Sequence, residues 1–202
     1  MPGFSLVGRY APVVTVPERL IDAATRLFAD KGYERVAVQE IVERAGVTKG
    51  AMYHYFGSKD DLLHEIYGRL LRLQTEHLEK IAAADGPVTT RLREAAVDVI
   101  VTSIEDFDAA KVFFRSMNHL PAEKQKEVRA QRRHYHERFR GLIEEGQRDG
   151  SFRADVPADV ATYYFFGSLH QLGTWYRPDG DIPAGRLAEH YADLLIHSIT
   201  AR

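Results

Sequence analysis

The sequence predicts an all-α protein, and three observations carry that expectation. Apolar residues recur at three- and four-residue spacing through most of the chain, no segment alternates apolar and polar side chains as a half-buried strand does, and no Asn-Gly hairpin turn occurs. Gly and Pro fall between the periodic segments and divide them into about nine helices. The 202 residues, 45% of them hydrophobic, exceed what a single three-helix module of ~60 residues requires, so a second helical domain is expected.

Residues 1–16 carry Gly, Pro and β-branched residues without helical period and read as a mobile arm. Pro17 suits a first helical turn, and Leu20, Ile21, Ala24, Leu27 and Phe28 form a stripe that ends at Lys31-Gly32. Val38, Ile41, Val42 and Ala45 make one face of a second, short helix, and Gly46 supplies the positive φ that ends it. Ala37 precedes that helix and has no side-chain acceptor, a local cost of ~1 kcal/mol unless the backbone is satisfied otherwise. Thr48 has the hydroxyl to cap a third helix whose buried face is Met52 and Phe56. Ser58 caps a long fourth helix with Asp60 and Asp61 in its first turn and a stripe of Leu62, Leu63, Ile66, Leu70, Leu73, Leu78 and Ile81, stopped by Asp85-Gly86-Pro87. At ~20 residues or more, such a helix spans ~30 Å.

Two further helices occupy residues 88–106 and 108–120. The next, from Pro121, is the most polar and stops near Gly146 or Gly150. Residues 156–176 read as one helix that is apolar on several faces and hence buried all round. Pro178 to Pro183 interrupts, and Leu187, Tyr191, Leu194, Leu195 and Ile199 stripe the last helix.

The second and third helices, joined by a sharp turn, form a helix-turn-helix, with Lys49, Gly50, Ala51, Tyr53, His54 and Tyr55 left outward for the DNA major groove. The motif Ile41-Val42, Ala45-Gly46-Val47-Thr48, Gly50, Met52-Tyr53, Phe56, Ser58-Lys59 and Leu62 resembles the TetR family of bacterial transcription regulators. Val42, Tyr55 and Ala37 depart from the family pattern, which has Ala, His and a capping Thr there. The resemblance implies an N-terminal helix-turn-helix unit at 17–58 and an effector-binding and dimerisation domain at 59–202. It implies that Lys49, Gly50 and Tyr53 approach bases or backbone, that Gln39 projects into the groove, and that Thr48, Tyr55 and Lys59 hold phosphates. Gln pairs with adenine and Lys with guanine, in keeping with those roles. His54 either reads a base or lies solvated beside the groove. Arg9 either reaches a minor groove or belongs to a disordered tail.

The balance of 27 basic and 29 acidic residues, net −2, argues against indiscriminate nucleic-acid binding. Cys is absent, and no catalytic constellation, metal-ligand spacing or cofactor motif appears, so no enzyme activity, metal or cofactor is expected. His134 and His136 lie two apart, on different sides of a helix. No apolar stretch approaches the ~20 residues that span a bilayer, and a cytoplasmic protein without membrane contact is expected. The run Arg129, Arg132, Arg133, Arg138, Arg140 reads as a solvated face or as a surface for an anionic effector.

A ligand pocket in the second domain is expected from Phe113, Phe114, Met117, Tyr135, Phe139, Tyr163, Phe166, His170, Trp175 and Arg177, each of which is otherwise an ordinary core or surface residue. Phe165, Leu169, Tyr191 and Leu195 are the expected homodimer contacts, with completion of the monomer core as the alternative. The stretch around Gly150 to Asp155 and Trp175-Tyr176-Arg177-Pro178 is similar to TetR regulators that respond to acyl-coenzyme A thioesters of fatty-acid or steroid catabolism. The expected function is a repressor that binds a palindromic operator as a dimer and is released by such an effector. An efflux-pump regulator released by a hydrophobic drug-like ligand, and an architectural DNA binder without effector, are the alternatives.

Overall fold

The computed structural model describes residues 14–201, which form ten helices in the order α1 to α10. The expected arm, Arg9 included, lies outside the described residues except at its end, where Thr15 caps α1 (Val16–Lys31) and Val16 begins it. Thr15 and Glu18 close a reciprocal capping box: the Glu18 carboxylate accepts the Thr15 N–H at 2.7 Å and the Thr15 hydroxyl accepts the Glu18 N–H at 3.4 Å. In α2 (Val38–Ala45) the cap that Ala37 cannot provide is half replaced, because Glu40 Oε1 accepts the Ala37 N–H at 3.1 Å. Gly46, at φ +64°, turns the chain into α3 (Lys49–Tyr55). Met52 is fully buried there, whereas Phe56 lies just past the helix end and is half-buried.

The long helix α4 (Lys59–Ala83) measures about 37 Å at 1.5 Å per residue and passes through both hydrophobic cores. The first core joins α1, α2 and α3 to the first half of α4 and to α6 (Phe107–Arg115), with Leu120 and Val128. The second joins the far end of α4 to α5 (Val88–Glu105), α7 (Ala122–Asp149), α8 (Ala158–His170) and α10 (Ala184–Ile199). The packing therefore divides within α4 and places α6 with the DNA-binding unit, although α6 lies well beyond residue 58. Within the expected α4 stripe, Leu73 is 43% exposed and belongs to the surface.

Asp106 alone separates α5 from α6, and its carboxylate accepts the Ala109 N–H at 3.3 Å. A 3-10 turn at Met117–His119 leads to α7, which runs through Gly146 and stops at Gly150, φ +84°. Gly146 is there for space: a Cβ on it would lie 2.1 Å from a ring carbon of buried Phe152. The expected helix over 156–176 is two helices, because α8 ends at His170 and a single-turn α9 (Leu172–Trp175) follows Gln171. It is not buried all round either. Val160, Tyr163, Tyr164 and Trp175 are all about half exposed or more. No helix among the described residues is long and apolar enough to cross a membrane.

Candidate nucleic-acid interface and effector cavity

The reading surface is built by the turn chemistry. The Thr48 hydroxyl accepts the Ala51 N–H at 3.1 Å, which starts α3 where it can expose Lys49, Gly50, Tyr53, His54 and Tyr55. His54 meets Tyr55 edge-on at 4.8 Å. Gln39 is exposed near the start of α2 and donates to Glu43 at 2.5 Å. Thr48 is itself exposed, and its hydroxyl proton stays available to an acceptor while the oxygen caps the helix.

Lys59, expected at a phosphate, has partners within the chain. Its ammonium donates to the Tyr33 and Val36 carbonyls at 3.0 Å each and sits 4.2 Å from the centre of the Tyr33 ring. It ties the α1–α2 loop to α4, and a phosphate would have to compete with those two carbonyls. Tyr33 also donates to Asp60 and stacks on His119 at 5.3 Å, while Lys124, in the first turn of α7, pairs with Asp61. His64 and Glu127 approach to 3.2 Å. These contacts bind the start of α7 to the start of α4, one turn from the reading unit.

Farther along α7, a cavity of about 20 Å³ lies between α4, α5, α6, α7 and α8. This is room for about one water. Phe113, Phe114, Tyr135, Phe166 and Leu169 supply its apolar wall, and Gln74, Ser103, Arg132, His136 and His170 its polar wall. Gln74 donates to the Thr102 and Ser103 hydroxyls at 3.0 and 3.1 Å. His136 stacks on Phe166 at 4.2 Å, and His170 packs on Phe114 at 4.6 Å. Arg132 Nη2 donates to His170 Nε2 at 3.0 Å. Burial, and then the Arg132 charge, push both imidazoles down to about 4, so each is neutral near pH 7. Burial likewise lowers the Arg132 pKa without depriving it of its charge. A larger cleft of about 920 Å³ opens between α1, α4 and α6, but Asp22, Arg26, Arg69, Arg72, Glu76 and Asp108 make it a charged, solvated groove.

Several expected pocket residues lie elsewhere. Phe139 stacks on Phe165 at 5.2 Å in the core behind the cavity, Met117 packs half-buried against the first core, and Tyr163, Trp175 and Arg177 are exposed. The expected dimer contacts need a similar correction. Phe165, Leu169 and Leu195 are each 2% exposed because they face their own chain's core, and Tyr191 is half-buried. The apolar side chains that α8 and α10 turn outward are Val160, Tyr163, Tyr164 and Leu194, the last three 66–69% exposed.

Two family models match the chain: "Bacterial regulatory proteins, tetR family" over residues 20–66 and "Tetracyclin repressor-like, C-terminal domain" over residues 85–199. The chain belongs to the TetR family. Among its relatives, the HTH-type transcriptional repressor KstR2 of Rhodococcus jostii is 26% identical, with 90% of each chain covered. Among solved structures, the TetR regulator PfmR of Thermus thermophilus superposes with a TM-score of 0.83 at 28% identity, covering 89% of this chain and 97% of that one. The structure of AibR in complex with isovaleryl coenzyme A and operator DNA superposes at 0.78 with 22% identity, covering 92% and 98%. As a member of the TetR family this protein is a DNA-binding transcription regulator and not an enzyme.

In this TetR protein the polar cavity residues absent from the expected pocket are Gln74, Ser103, Arg132 and His136, of which Arg132 stood in the basic run expected as a solvated face or as a surface for an anionic effector. A signal for two of them was present. Arg132 and His136 are four apart on α7, on the face that carries Tyr135 and Phe139, so they border the apolar stripe instead of lying opposite it.

Proposed function

We propose that this TetR regulator is a repressor that binds a two-fold symmetric operator as a homodimer in the cytoplasm and is released by an acyl-coenzyme A thioester. The observation that carries the effector reading is the cavity between α7 and α8, which has an aromatic wall and a cationic polar wall. Such a lining suits an apolar chain joined to an anionic head. A neutral drug-like compound leaves Arg132 unanswered. The names of the relatives agree with this reading: KstR2 is a repressor, and AibR was captured with an acyl-coenzyme A and with operator DNA.

The route from cavity to DNA is α7. A ligand that fills the cavity must part α7 from its neighbours, because the space available admits only about one water. Arg132 stands two turns from Lys124, which pairs with Asp61 at the start of α4. A shift of α7 is thereby handed to the first turn of α4 and to the reading helix beside it. The ligand acts only through its differential affinity for the open and closed arrangements, and ~3 kcal/mol of preference lowers operator affinity more than a hundredfold. Exposed Val160, Tyr163, Tyr164 and Leu194 give the second copy its contact, and the two-fold then sets the separation of the two α3 helices. Binding-site selection on the purified protein, followed by titration of acyl thioesters against the selected DNA, tests the proposal. A non-palindromic selected site, or a thioester that binds without release, counts against it.

A further inference from the structure

Six arginines among the described residues pair with carboxylates, Arg72 with Glu65 among them. Arg91 pairs with Glu145, Arg93 with Glu189 and Asp193, Arg138 with Glu79, Arg140 with Glu144 and Asp159, and Arg153 with Asp155. Arg132 is not among them, and it lines the cavity. It is half-buried at the cavity wall, no carboxylate pairs with it among the described residues, and no acidic residue lines the cavity. Among the described residues its one hydrogen-bond partner is the ring of His170, whose nitrogen offers a lone pair but no charge. Removing a cation from water without a counter-charge opposes folding, and a positioned ligand that supplies the charge removes that opposition.

We infer that Arg132 and His170 form an oxyanion site, so that the effector binds with a carboxylate or phosphate group against the Arg132 guanidinium and its apolar part between Phe114 and Phe166. The geometry favours an anion on three further counts. A guanidinium offers five N–H donors in a planar fork that matches a carboxylate or phosphate edge, and only one partner is engaged. His136 and His170 line the same cavity as Arg132 and bring hydrogen-bonding nitrogens to it without a competing negative charge. Phe114 and Phe166 hold those imidazoles by ring contact, which fixes the polar wall before a ligand arrives. Because the site bridges α7 and α8, an anion seated there also bears on the helix that reaches Lys124. This inference rests on the ligand-released reading and narrows it to effectors that carry an oxyanion.

The test is calorimetric titration of the full chain with octanoate, coenzyme A, octanoyl-coenzyme A and, as an uncharged control, 1-octanol. Wild type, Arg132→Gln and Arg132→Lys are compared after melting curves confirm that each is folded. Arg132→Gln is expected to weaken octanoyl-coenzyme A or octanoate at least tenfold and 1-octanol less than twofold, with Arg132→Lys recovering part of the loss. An Arg132-dependent affinity for octanoate assigns the oxyanion to a carboxylate, and one for coenzyme A alone assigns it to phosphate. Equal affinity of wild type and Arg132→Gln for every charged probe, or no binding of any charged probe to wild type, overturns the site. If octanoate binds in an Arg132-dependent way while octanoyl-coenzyme A fails to release operator DNA, the oxyanion site stands and the thioester reading falls.

Discussion

Lys59 shows how a side chain that matches a family motif acquires a local structural task. Its two carbonyl acceptors and the Tyr33 ring hold the α1–α2 loop on α4. Lys59→Ala is therefore expected to lower stability by about 1–3 kcal/mol, read as a fall in melting temperature, with any loss of operator affinity common to all sequences. Lys49→Ala and Gln39→Ala are expected instead to relax base preference at one position per half-site, by about 1–3 kcal/mol, in binding-site selection. A changed consensus from Lys59→Ala would reverse these roles. The imidazoles of His136 and His170 give a pH dependence with a definite sign. Their folded pKa values, about 4, lie below the ordinary 6.5, so the unfolded chain binds more protons between those values and stability falls as pH drops from about 6.5 toward 4. Desolvation and the Arg132 charge act on both, with Tyr163 and Tyr135 as neighbouring neutral groups. Denaturation midpoints across that range should decline less steeply in His136→Gln and His170→Gln. At this scale the outward set on α3 was legible because a seven-residue helix with Met52 inward leaves few choices. For Arg132 the sequence shows a basic run that borders the apolar face of α7, and only packing shows that this member is half-buried beside a cavity.

Helices were read well where capping and stop residues coincide with periodicity, as in α2 and α4, where Gly46 and Ser58 act as local chemistry requires, whereas Thr15, expected in the arm, caps α1. The reading failed in α8 for a physical reason. A helix apolar on every face has no periodic signal to separate its core side from its outer side, and the break at Gln171 lacks Gly or Pro to announce it. Gly146 misled for the opposite reason, being a helix-breaking type kept inside α7 to admit Phe152. The element that should transmit effector binding is α7, through Lys124 and Asp61. Lys124→Met is expected to preserve thioester affinity, measured calorimetrically, while weakening the linkage between thioester and operator at least several-fold. Unchanged linkage would mean that the signal travels by α4 or by the dimer contact alone.

Across the whole molecule, the all-α architecture and the two-part organisation followed from periodicity and length, but the seam between the parts did not. It lies inside α4, with α6 packed against the reading unit, and no break in the sequence marks a seam within a continuous helix. Phe165, Leu169 and Leu195, expected at a dimer contact, lie in their own chain's core for a related reason, since stripes show that a face is apolar without showing what it meets. Tyr164→Arg combined with Leu194→Arg is expected to give folded monomers by light scattering, because both side chains are exposed in the single chain and their charges are costly only when a second copy covers them. Leu195→Arg should unfold the chain instead. The central claim is that one protein couples an operator to a thioester, and linkage makes that coupling reciprocal. The most direct measurement is therefore the affinity of wild type for octanoyl-coenzyme A with and without saturating selected operator. Operator is expected to weaken the thioester by the same factor, tenfold or more, by which the thioester weakens operator, and equal thioester affinities in the two titrations would contradict that coupling.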